Sequence, residues 1–127
     1  MKRVLIIEDQ PSILASLETL LELEGHQVFS AITKPAVEKT LSDHAIDLIL
    51  LDVYLRTDGG QQVNGYHILD TIRRTPEWRE IYVLMTSGED LRKQAIQAGA
   101  DGFLLKPYMA DQLVSLIQTH FDDMESR

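Results

Sequence analysis

The sequence predicts an α/β fold: a doubly wound parallel sheet of five strands with helices on both faces. Three observations carry that expectation. Short apolar runs recur along the chain, and several are continuous; helix-like segments separate them; most runs end in a polar or charged residue. A continuous apolar run reads as a strand buried on both faces, as in a parallel sheet. Strict alternation of strand and helix calls for crossovers that lay helices above and below that sheet.

The elements follow in order. Val4-Leu5-Ile6-Ile7 is the first strand. After Pro11, suited to a first helical turn, Ile13, Leu14, Leu17, Leu20 and Leu21 recur at helical spacing until Gly25. Val28-Phe29 is a second strand, and a short helical pattern lies between Ala36 and Leu41. Leu48-Ile49-Leu50-Leu51 is the third strand, and Tyr66, Leu69 and Ile72 mark a helix stopped before Pro76. Tyr82-Val83-Leu84-Met85 is the fourth strand. Ser87, with Asp90 three residues later, resembles a capping box opening a fourth helix that runs to Ala98 before Gly99. Phe103-Leu104-Leu105 is the fifth strand, and Leu113, Leu116, Ile117 and His120 or Phe121 mark a fifth helix.

Composition narrows the function. The 127 residues suit one domain, with 44% apolar and 25% charged residues, the profile of a globular chain. No apolar run reaches the roughly 18 residues needed to span a bilayer. The start, MKRVLIIEDQ, is too short in apolar residues for a secretory signal, and there are no cysteines for disulfides or thiolate metal sites. These features favour the cytosol. A net charge of −8 repels phosphate backbones and argues against direct nucleic-acid binding.

In doubly wound sheets, ligands bind beyond the carboxyl ends of the strands, near the point where strand order reverses. The residues at those ends are Glu8 and Asp9, Asp52, Thr86 and Ser87, and Lys106-Pro107. Singly, each has a bland reading: a helix cap, a loop hydroxyl bonded to its own backbone, a solvated charge. Together they form a specific set. Crowded carboxylates need a counter-ion, and Mg²⁺ accepts oxygen ligands while joining carboxylates to a phosphate. An ionised aspartate can carry a phosphoryl group as an acyl phosphate, stabilised by a lysine and a hydroxyl aimed at its oxygens.

From about Arg3 to Phe121 the sequence resembles the receiver domains of response regulators, the phosphoacceptor half of two-component signalling. VLIIEDQP, DLILLD, VLMTSG and QAGADGFLLKP carry the resemblance, in that order, with the closing amphipathic helix. It implies a flavodoxin-like (βα)5 fold with strand order 2-1-3-4-5, a single receiver domain over 1–127 and no output domain. It implies that Glu8 and Asp9 hold Mg²⁺ or Mn²⁺, Asp9 more directly, together with Asp52 and the backbone carbonyl of Tyr54. Asp52 is the implied phosphoacceptor, Lys106 its cationic partner, Thr86 the hydroxyl that moves toward the phosphoryl group, and Phe103 the aromatic switch. Lys106-Pro107 is a cis-peptide candidate. Tyr54 and Gly88 flank the expected phosphoryl site, one screening it from water and the other leaving it open.

The implied activity is signalling rather than enzymatic. Asp52 takes a phosphoryl group from a sensor histidine kinase or a His-phosphotransfer protein, with self-phosphorylation from small donors and autodephosphorylation. The fourth helix, fifth strand and fifth helix then change shape to control a downstream effector or to form a homodimer. A receiver-like docking module that is never phosphorylated is the alternative, against which the complete acid, threonine and lysine set argues. An aspartate-nucleophile phosphatase would carry a second acid where Tyr54 stands. A flavin carrier would place a hydroxyl-rich phosphate loop where Glu8-Asp9 stands.

One stretch departs from the family. Arg56 occupies the place of a usual proline, and the glycine opening the third helix aligns as Asp58-Gly59 or Asn64-Gly65. The register of GYHILDTIR favours Asn64-Gly65, which makes the connection roughly five residues longer than usual. A tolerated surface insertion is the favoured reading of Arg56–Asn64, ahead of a contact with a partner or with the site.

Overall fold

The computed structural model describes residues 1–56, 60 and 62–125. Strands β1 (Arg3–Ile7), β2 (Gln27–Ser30) and β3 (Leu48–Asp52) are followed by a short pair, β4 (Tyr54–Arg56) and β5 (Gln62–Asn64), then β6 (Tyr82–Ser87) and β7 (Gly102–Leu105). Helices α1 (Pro11–Leu23), α2 (Lys34–Asp43), α3 (Gly65–Arg74), α4 (Arg92–Ala98) and α5 (Ala110–Glu125) complete the chain. Five strands form a parallel sheet in the order β2-β1-β3-β6-β7, so the predicted order 2-1-3-4-5 holds for the five main strands.

Alternating residues of the buried strands supply two cores. Val4, Ile6, Leu48, Leu50, Leu84 and Leu104 face α1 and α5, meeting Leu17, Leu21, Leu113, Ile117 and Phe121. Leu5, Ile7, Ile49, Leu51, Val83 and Met85 face the opposite way and meet α2, α3 and α4 through side chains such as Val37, Leu69, Ile72 and Ala95. The continuous apolar runs are thus two interleaved sets of period two, one for each face. Leu116, expected among the apolar positions of α5, is 36% exposed, because the seam is covered by Leu113, Ile117 and Phe121.

Two local expectations change. The helix expected from Ser87 begins at Arg92, with no side-chain cap at Leu91. Ser87 instead ends β6, in register with Leu105 of β7, and its hydroxyl accepts from the Glu89 backbone N–H at 3.1 Å. Strand pairing takes this residue before a helix can use it as a cap. The long connection is not a plain loop: Tyr54–Arg56 and Gln62–Asn64 pair antiparallel as a hairpin. Asn64 caps α3, accepting from Tyr66 N–H at 2.8 Å, so the helix opens at Asn64-Gly65 as its register predicts. The rival alignment at Asp58-Gly59 lies outside the described residues. Gly65 is required sterically, since a Cβ there would run into the carbonyl oxygen of Asp52.

Candidate functional site at the carboxyl edge of the sheet

The order of the sheet reverses between β1 and β3, and both strands end in acids there. Glu8 and Asp9 follow β1 directly, and Asp52 closes β3, in register with Thr86 of β6. Lys106 follows β7, held by its backbone N–H donating to the Ser87 carbonyl at 2.8 Å. The Lys106-Pro107 peptide is cis. The sheet therefore brings Glu8, Asp9, Asp52, Thr86 and Lys106 to one edge, as the strand ends predict.

The geometry joins them. The Lys106 ammonium donates to Glu8 Oε1 at 2.9 Å and to Asp52 Oδ2 at 3.2 Å. The Thr86 hydroxyl lies 3.4 Å from Asp52 Oδ1, at the long limit of a hydrogen bond. Glu8, Asp52 and Thr86 are all buried. One carboxylate oxygen from each of Glu8, Asp9 and Asp52 lies within 4.8 Å of the others. Three hard oxygen donors this close match what a divalent cation such as Mg²⁺ takes. The hairpin supplies a further group. Gly65 N–H donates to the Val53 carbonyl, which makes 53 and 65 a bonded pair of the ladder and leaves Tyr54 and Arg56 with outward-facing backbone groups. Along that outer edge the Arg56 N–H donates to Asp9 Oδ2 at 2.9 Å. The Tyr54 carbonyl faces the same edge, as a fourth ligand would have to.

Burial dominates the charge state of Asp52 and pushes its carboxyl up to about 6. Lys106 pulls the other way, while Glu8 and Asp9 add to the rise. For Lys106, burial acts to lower the ammonium, but Glu8 and Asp52 outweigh it and raise it. Lys106 thus offsets only part of what burial does to Asp52, and the carboxyl stays raised.

Phe103 is buried in the core beneath α4, with the Arg92 guanidinium 5.8 Å from its ring centre. A cavity of about 360 Å³ opens beside Asp52 and Asp9, with Tyr54, Arg56, Gln62 and Glu89 also lining it. Gly88 meets nothing within 4 Å on its Cβ side. Sequence reasoning misses Gln62 and Glu89. The available signal is the polar-apolar-polar pattern of both Tyr54-Leu55-Arg56 and Gln62-Val63-Asn64, which reads as two half-buried strands.

Comparison with known proteins bears on the fold and on the family. The profile of the response regulator receiver domain matches residues 4–118. The alginate biosynthesis transcriptional regulatory protein AlgB of Pseudomonas aeruginosa is 36% identical over 112 residues, which cover 87% of this chain and 24% of that protein. The chain therefore spans about a quarter of the length of that relative. A CheY-like receiver domain protein from Methanospirillum hungatei has a TM-score of 0.84 at 26% identity, covering 99% of this chain and 98% of that one. The receiver domain of a sensor histidine kinase from Pseudomonas aeruginosa, solved with a magnesium ion coordinated in its active site cleft, has a TM-score of 0.79. At 22% identity over 93% of this chain and 95% of that one, it shows likeness of fold.

Proposed function

This chain belongs to the response regulator receiver domain family, and we propose from that membership that Asp52 is its phosphoacceptor, a signalling group rather than the nucleophile of a turnover enzyme. The observation that carries the reading is the convergence of three carboxylates, a lysine and a threonine hydroxyl on one sheet edge, with Lys106 and Thr86 on different oxygens of Asp52.

An ionised Asp52 oxygen attacks phosphorus, the bond to the donor's nitrogen or oxygen breaks, and the leaving group departs with its electron pair. The phosphoryl group then sits on Asp52 as an acyl phosphate. Lys106, already held at 3.2 Å from Asp52, supplies positive charge to the phosphoryl oxygens, and Thr86 supplies a hydroxyl donor. Asp9, Asp52 and the Tyr54 carbonyl, with Glu8 behind them, would hold Mg²⁺ or Mn²⁺. A bound cation there would offset the carboxylate charge and that of the transferring group. The donor is a sensor histidine kinase or a His-phosphotransfer protein, and residues 1–127 act as one receiver unit.

The output runs through Thr86 and Phe103. Phosphorylation draws the Thr86 hydroxyl onto the phosphoryl group, leaving space into which the ring of Phe103 rotates. The surface formed by α4, β7 and α5 carries the change to a downstream partner or to a second copy. Ile96, Leu105 and Met109 are exposed on these elements and the β7–α5 turn, as a protein-binding surface requires. Incubation with Mg²⁺ and acetyl phosphate, followed by intact-mass measurement, tests the reading. We expect a phosphoryl adduct on the wild type and none on Asp52→Asn. A wild type without an adduct would favour the docking-module alternative.

A further inference from the structure

The hairpin β4–β5 is built into the acidic edge. Leu55 is fully buried in the core beneath it, so the faces of its neighbours are set. Tyr54 and Arg56 then lie on the opposite face, and both line the cavity beside Asp52, together with Gln62, the cross-strand partner of Arg56. The backbone of Arg56 is held by its N–H on Asp9, so the root of its side chain is anchored at the site.

The charges around this cavity are uneven. Asp9, Asp52 and Glu89 line it, and Arg56 is the one cation among its described lining residues. The Lys106 ammonium is engaged by Glu8 and Asp52. An anionic donor approaching a chain of net charge −8 meets repulsion on this route, except from Arg56. A guanidinium also has the planar fork that binds phosphate through two hydrogen bonds.

We propose that Arg56 is a phosphate-recognition residue of this site, drawing small anionic phosphodonors into the cavity and holding the phosphoryl oxygens that Lys106 leaves open. The proposal rests on the reading of Asp52 as phosphoacceptor. The inserted hairpin then serves to place a second cation opposite the lysine.

The test compares wild type, Arg56→Gln and Arg56→Lys. Acetyl phosphate is the donor, adduct formation is followed by intact mass, and salt is varied. Arg56→Gln is expected to slow phosphorylation about ten-fold at low salt, and Arg56→Lys to fall between, keeping charge but losing the fork. Added salt narrows the difference between wild type and Arg56→Gln, because it screens the attraction that only the wild type offers. Beryllofluoride, read by fluorine NMR in the presence of Mg²⁺, is expected to bind Arg56→Gln more weakly. Mg²⁺ affinity is not expected to fall, because the contact with Asp9 is made by the main chain and the lost charge is positive. An Arg56→Gln rate within about two-fold of wild type, with the same salt dependence, overturns the role of Arg56 while leaving that of Asp52 intact. A wild type that takes up no phosphoryl group overturns both.

Discussion

Two cation–carboxylate knots sit at opposite edges of the central sheet. At the carboxyl edge, Lys106 bridges Glu8 and Asp52. Toward the amino end of β6, Arg73 of α3 pairs with Asp101 at 2.8 Å. The second knot is satisfied. The Arg73 guanidinium also donates to the carbonyls of Gly99, Arg79 and Ile81, and Asp101 accepts the Val83 N–H as well. The first knot sets one lysine against two buried acids with Asp9 beside them, and burial holds Asp52 up to about 6. The same pairing fastens three elements in one place and stores unmet charge in the other. The proposed function asks this site to accept a cation and a phosphoryl group, and a site already neutral could not do so.

Three substitutions sharpen this contrast. Arg73→Ala should have the largest effect. It removes four donated bonds, one of them to the exposed Asp101, at a cost of about 3 kcal/mol, or roughly 10 °C in melting temperature. Adduct formation with acetyl phosphate should survive. Loss of the adduct in folded Arg73→Ala would tie the two knots together.

Lys106→Met comes next. It leaves Glu8 and Asp52 without their cation, so the metal-free protein should lose about 2 kcal/mol. Mg²⁺ should restore much of that, giving the variant a larger metal-induced rise in melting temperature than wild type. Equal rises in the two proteins would show that the lysine and the metal do not share the same carboxylates.

The smallest effect has the opposite sign. An acid with a raised folded-state pKa keeps its proton in the fold at a pH where the unfolded chain has lost it. Stability from Asp52 therefore falls as pH rises from about 4 through 6. Metal-free Asp52→Asn lacks that loss. At pH 7.5 it should exceed wild type by about 1 kcal/mol, the open cavity screening part of the charge. Thermal melts from pH 4 to pH 8 check this, with the two curves meeting at the acid end.

The strand ends are legible because each is a local event: a continuous apolar run stops, and the next residue surfaces. Glu8, Asp9, Asp52, Thr86 and Lys106 can all be named that way. Helix faces are legible for the same reason, though Leu116 shows that a matching period does not guarantee burial. Ser87 carries two compatible local signals, cap and strand end, and pairing with Leu105 chooses between them. The stretch after Asp52 reads as a tolerated insertion, yet its described ends form a hairpin whose Arg56 N–H meets Asp9.

The sequence by itself determined the alternation of strand and helix, the two buried faces of the central strands and the set of polar residues at the edge. Those follow from periodicity and composition, which act over a few residues. Tertiary structure decided which charges touch. Lys106 reaches Glu8 across 98 positions of chain, and Arg56 reaches Asp9 across 47. Coulomb and desolvation energies depend on distance and burial, and neither exists until the sheet has closed.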